Sequence, residues 1–190
     1  KNVMGLWLVQ QCRATWAQEG RVFSYKELES LAAAAPPLVS FVNPNDTLFL
    51  PPGDPQQRIY HFCQHPTQLP PQSEAETIRC ILESRALAYR HALQTILDVS
   101  GQQVQVIHMV GGGSKNGLLN QMTANATGIP VVAGPVEASA LGNSLVHLIT
   151  LGEIKDREEA RSLILQTLPV QVYEPGETVV WTDAYDRYQK

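Results

Sequence analysis

Basic charge is scarce: 14 Lys and Arg stand against 18 Asp and Glu, a formal net charge of −4, and they form no run long enough to track a phosphate backbone. That excludes nucleic acid as an expected partner. Three cysteines, Cys12, Cys63 and Cys80, are too few and odd in number for a secreted disulfide framework, so a reducing, cytoplasmic setting is expected. No apolar run approaches the roughly 20 residues that a membrane-spanning helix needs. The opening KNVMGLWLVQQC lacks the basic start and small-residue cleavage site of a signal peptide, and beginning on Lys1 it reads as the start of a piece of a longer protein. What remains is 190 residues, 44% hydrophobic, enough for one sizeable core.

The chain divides by pattern. Met4, Trp7, Leu8 and Cys12 recur at helical spacing and predict a helix over 2–16. Ser24 with Glu27 and Ser73 with Glu76 are capping boxes, opening a short helix that stops at Pro36 and a long one over 73–99. The stretch 41–55 is dense in turn formers and reads as a loop without regular structure; Asp54 and Pro55 then start a helix to about His65. After Gly101, VQVIHMV predicts a buried strand, with His108 packed in the core. Three glycines follow, then a helix over 116–127, a strand over 130–133, helices over 137–151 and 158–168, extended chain over 170–173, and a last helix over 178–188. Strand, glycine turn, helix, strand, helix is an α/β signature.

Chemistry concentrates at VIHMVGGGSKNGLLNQM. A strand meeting glycines and then a helix start lets a ligand approach the backbone, and the first helix amides offer unpaired donors for an anion, so a nucleotide is the natural ligand; alternatively the glycines only permit a tight turn. It is not a Walker A loop, because Lys115 is preceded by Ser114 and followed by Asn116, and not a dinucleotide fingerprint, because Asn116 stands where a third glycine belongs. His61, Cys63, His65 and Cys80 suggest zinc only superficially, since Cys63 projects from a different helical face. Asp46 and Glu137 read as loop or cap carboxylates.

KNVMGLWLVQQC, NPND, AETIRCILESRALAYR and HMVGGGSKNGLLNQMTANATGIPVVAGPVEASALGN resemble the FGGY carbohydrate kinases of the actin-like ATPase superfamily, along nearly the whole chain. Relatives acting on glycerol, xylulose or fuculose share the glycine loop, while its combination with KNVMGLW and AGPVEASALGN points to the branch acting on L-rhamnulose. The resemblance implies an α/β, actin-like (ribonuclease H-like) nucleotide-binding C-terminal domain over 1–190, helix-rich and without its first strands. It implies ATP with Mg²⁺, a sugar contact at Asn2, and ATP contacts at Gln10 and Gly112, with Gly111 and Gly113 shaping the turn and Asn116 near the adenine. From the helical pattern alone, Asn2 reads as an N-cap and Gln10 as a solvated position. The resemblance also implies that Cys63 and Cys80, 17 residues apart, can form a disulfide. In the family the general-base aspartate and a threonine-containing phosphate hairpin lie in segments that would precede Lys1, so this piece alone is expected to be inactive and prone to associate with itself or with the rest of the chain. A non-catalytic actin-like nucleotide-binding module is the reading from another class.

Overall fold

A computed structural model describes residues 6–51, 53–64 and 68–189. Its elements are α1 (Trp7–Gln18), α2 (Tyr25–Ala34), α3 (Pro55–Cys63), α4 (Glu74–Ser100), β1 (Ile107–Met109), α5 (Gly117–Thr127), β2 (Val131–Ala133), α6 (Ala138–Leu151), α7 (Arg157–Thr167), β3 (Gln171–Tyr173) and α8 (Thr178–Tyr188). Local chemistry sets most of these boundaries. The Ser24 hydroxyl accepts from the Glu27 amide, and the Glu27 carboxylate accepts from the Ser24 amide, which holds that carboxyl below its usual range. Asp54 accepts from the Gln57 amide at 3.1 Å with Pro55 in the first turn. Gly101, Gly128 and Gly152 end α4, α5 and α6 in the left-handed conformation. Ser73 caps α4 as expected, but Glu76 reaches back to the Gln72 amide instead of closing the box on Ser73. The 41–55 stretch contains one element the sequence did not signal, a 3-10 turn at Thr47–Phe49, capped by Asp46.

The core lies around the first half of α4. Ile78, Ile81, Leu82 and Leu87 are at most 1% exposed, and each such side chain contributes about 1.5–3 kcal/mol by leaving water. Around them pack Leu8, Cys12 and Trp16 of α1, Leu28 and Ala32 of α2, Leu119 and Met122 of α5, and Trp181 and Ala184 of α8. Because α4 is enclosed on all sides here, its polar residues must find partners inside. Glu83, 1% exposed, accepts from the Leu38 amide and from Arg79 Nε at 2.7 Å. Arg79 Nη1 donates to the carbonyls of Ala32, Ala33 and Ala35, satisfying the end of α2. Among the described residues Leu38, with φ of +56°, is the non-glycine residue in the left-handed region, and Glu83 holds its amide there.

The sheet has the order β1-β2-β3, with β1 and β2 parallel and β2 and β3 antiparallel. The expected buried strand is corrected: β1 covers only Ile107–Met109, its flanking Ile107 and Met109 are half-buried, and His108 is exposed, not a core histidine. The reason is position. β1 pairs only with β2 in the described sheet, whereas central β2 buries Val131 and Ala133. α6 carries no buried residue despite its apolar composition, and Val146 and Leu151 stand 62% and 75% exposed.

Cys63 and Cys80 are buried free thiols, not a disulfide. They are close enough to share a hydrogen bond, which pulls the Cys63 thiol down and, together with burial, pushes Cys80 well up. Among the described residues no group of three or more His, Cys, Asp or Glu could hold a metal, and His61 instead pairs with Gln64; His65 lies outside the described residues. No described helix is long and apolar enough to cross a membrane.

Candidate functional site

The glycine turn sits at the carboxyl end of β1, the edge where α/β sheets open to ligands. Gly111–Lys115 forms a 3-10 turn between β1 and α5. Gly111 takes φ of +74°, a conformation that disfavours a side chain, and its amide donates to the Pro135 carbonyl at 3.2 Å. The Gly134 amide donates in return to the Met109 carbonyl at 2.8 Å, so the ends of β1 and β2 are tied together. Within the turn, the Ser114 hydroxyl donates to the Gly111 carbonyl at 2.7 Å, and the Asn116 amide to the Gly113 carbonyl at 3.2 Å. Gly112 differs from its neighbours. It is exposed, and a Cβ built on it meets no atom within 4 Å. The surface over Gly112 is therefore open for another molecule to lie against the backbone, and any side chain there would fill that space.

The start of α5 is not the open anion site expected from the sequence. Asn116 caps the helix, its side-chain oxygen accepting from the Leu119 amide at 2.8 Å. Glu29, reaching across from α2, accepts from the Leu118 amide at 2.7 Å. Those two amides are committed to the protein's own oxygens, and one of those oxygens belongs to a carboxylate. A carboxylate at the positive end of the helix takes the place an anionic ligand would otherwise occupy. The backbone face over Gly112 stays open.

The remaining site residues are distributed as follows. Gln10 is exposed on α1, whose main packing partners are α3 and α4, while the glycine turn packs on α5. Gly111, Gly112, Gly113 and Asn116 come together in one turn. Asn2 lies outside the described residues. Asp46 caps its 3-10 turn, and Glu137 precedes α6 without making a side-chain cap. Two residues around the turn carried no functional signal in the sequence. Glu29 is 89 positions from its partner amide, and no local pattern relates them. Asn120, fully buried in α5, donates from Nδ2 to the Ser114 carbonyl at 3.0 Å; its only sequence trace is a poor helix former inside an apolar helical stretch.

Comparison with known proteins bears on the family and the fold. The pattern of the FGGY family of carbohydrate kinases, C-terminal domain, matches residues 1–151. A rhamnulokinase of Bacteroides thetaiotaomicron is 41% identical over 189 residues, which span all of this chain and 38% of that protein. Rhamnulokinases of Enterococcus faecalis and Bacillus subtilis are 39% and 33% identical over 92% and 93% of this chain, and 35% and 36% of their own lengths. The chain thus spans little more than a third of the curated relatives it matches. Among solved structures, xylulose kinase from Rhodospirillum rubrum aligns with a TM-score of 0.65 at 21% identity, over 98% of this chain and 37% of that one. Gluconate kinase from Lactobacillus acidophilus aligns at 0.65 with 16% identity, over 97% of this chain and 37% of its own. These place the helix-rich architecture with its small sheet in the fold of sugar-kinase C-terminal domains, and by sequence and fold together the chain belongs to the FGGY family of carbohydrate kinases, as a C-terminal domain.

Proposed function

We propose that this chain is the nucleotide-binding half of a rhamnulokinase, which transfers the γ-phosphate of ATP to the 1-hydroxyl of L-rhamnulose in cytoplasmic rhamnose catabolism. The substrate assignment draws on the relatives named rhamnulokinase that match along the full chain. The observation that carries the nucleotide assignment is the open backbone face at Gly112, in a turn whose Gly111 and Ser114 carbonyls are paired within the protein. On this reading the adenosine part of ATP lies over Gly112, between Gly111 and Gly113, with Asn116 at its edge. The carboxylate of Glu29 keeps the triphosphate away from the start of α5 and directs it outward. Gln10 contacts the nucleotide from α1, and Asn2 the sugar.

Phosphoryl transfer is chiefly a matter of positioning acceptor, metal and γ-phosphate together. Mg²⁺ is assigned to the phosphates of ATP, and the sugar pocket and general base to the part of the kinase that the resemblance places before Lys1. The exposed apolar side chains Val146 and Leu151 of α6 and Val179 of α8 are covered, on this reading, by the remainder of the kinase; alone, the chain associates through them. Cys63 and Cys80, already adjacent, close to a disulfide on oxidation.

The test is calorimetric titration of ATP into the chain and its Gly112→Val variant, with ketose profiling of the kinase that carries this domain. Binding by the parent with loss in the variant supports the site; unchanged binding in the variant removes the turn from it. Activity on xylulose but not on L-rhamnulose would overturn the substrate.

A further inference from the structure

We propose that Asn120 is a positioning residue for the nucleotide, acting from the interior of α5 to set the shape of the turn that presents Gly112. The inference rests on the assignment of the glycine turn as the nucleotide site. Asn120 is 0% exposed, flanked along α5 by buried Leu119 and Met122. Its Nδ2 donates to the Ser114 carbonyl at 3.0 Å, while its Oδ1 is buried without a hydrogen-bond partner. A residue there for stability alone would be apolar: asparagine is a weak helix former, and an unpaired buried acceptor is unfavourable. What asparagine adds is the single donor aimed at the turn.

That donor begins a chain of bonds that brackets Gly112. Asn120 Nδ2 donates to the Ser114 carbonyl, Ser114 Oγ donates to the Gly111 carbonyl, and the Gly111 amide donates to the Pro135 carbonyl beyond β2. Each link holds a carbonyl in or beside the turn that carries Gly112. Without the first link the Ser114 carbonyl loses its side-chain donor, and the surface offered to a ligand is held less firmly in shape. The cost is kept in the core and the benefit appears at the surface, the arrangement expected of a functional and not a structural polar group.

The experiment compares the complete kinase with its Asn120→Leu variant, reading the thermal midpoint, the KM for ATP and the KM for the ketose, with Gly112→Val in parallel. The expected result is a KM for ATP raised about three- to tenfold, as for loss of one ordinary hydrogen bond. The KM for the ketose is unchanged, and the midpoint is equal or higher because the unpaired acceptor is gone. An unaltered KM for ATP in folded Asn120→Leu, or parallel rises in both KM values with a lowered midpoint, overturns the proposal. Should Asn120→Leu fail to fold, Asn120→Ala removes the same donor without added bulk and is judged by the same readings; failure of both to fold makes the residue structural and overturns it as well. If Gly112→Val leaves the KM for ATP unchanged, the nucleotide site itself is misplaced; if it raises that KM while Asn120→Leu does not, only the role of Asn120 falls.

Discussion

The carboxylate of Glu29 accepts from the amide of Leu118 at 2.7 Å, joining α2 to the first turn of α5. It converts a glycine-rich strand-to-helix turn, the usual setting of a phosphate, into one whose helix start already holds a negative charge. Gly117 permits the approach, since a Cβ on it would lie 3.3 Å from Glu29 Oε1 and 3.2 Å from the Tyr173 hydroxyl.

Glu29→Ala should therefore do two things. Loss of the cap lowers stability by about 1 kcal/mol, read in urea unfolding. The freed Leu118 amide also makes the start of α5 an anion site, so that inorganic phosphate raises the thermal midpoint of the variant but not of the parent. A variant indifferent to phosphate argues against the idea that Glu29 guards this helix end.

Arg79 and Glu83 form a largely buried pair, with side chains 14% and 1% exposed. Arg79→Met leaves Glu83 without its cation and the α2 carbonyls of Ala32, Ala33 and Ala35 without their donor, and should cost about 3–5 kcal/mol. Adding Glu83→Gln should recover part of that loss, because a neutral amide still accepts from the Leu38 amide. Additive losses in the double variant would show that the two residues act independently.

Burial raises the Glu83 carboxyl above its ordinary 4.5, against the opposing pull of Arg79 and the Leu38 amide. The folded state then holds this proton more tightly than the unfolded chain does. Its contribution to stability is greatest below 4.5 and declines as pH rises through the raised folded value. Unfolding free energy measured across that window should fall with pH in the parent, and Glu83→Gln should flatten that component. A parent and variant with the same slope would assign the pH dependence elsewhere.

Mild oxidation should join Cys63 to Cys80 within the chain, seen by mass spectrometry as loss of two hydrogens and a single bridged peptide. Cys12, buried on α1 with its thiol pushed up to about 12, should stay unreactive until the chain unfolds. Bridging of Cys12 instead would contradict the packing of α1.

Much of the fold was legible because it is written over short distances. Ser24 and Glu27, Asp54 and Gln57, and the glycines at 101, 128 and 152 each act within a turn of the backbone they cap, so the residues in order suffice. The glycine turn was legible for the same reason. VQVIHMV misled because its apolar run fits a strand covered on both faces, whereas β1 lies at the edge of the described sheet and exposes His108.

The sequence by itself determined the helix boundaries marked by Ser24, Asp54, Ser73, Gly101, Gly128 and Gly152, that a glycine turn would separate a strand from a helix, and, through extended resemblance, which family the chain belongs to. It placed the start of α1 at Asn2, whereas the described helix is Trp7–Gln18. Only the tertiary structure decided which groups of that turn are left open. Glu29 and Leu118 are 89 residues apart, and Asn120 is fully buried on a helix that packs against α4. Whether a backbone amide is free or taken depends on what folding brings beside it, and short-range pattern carries no record of that.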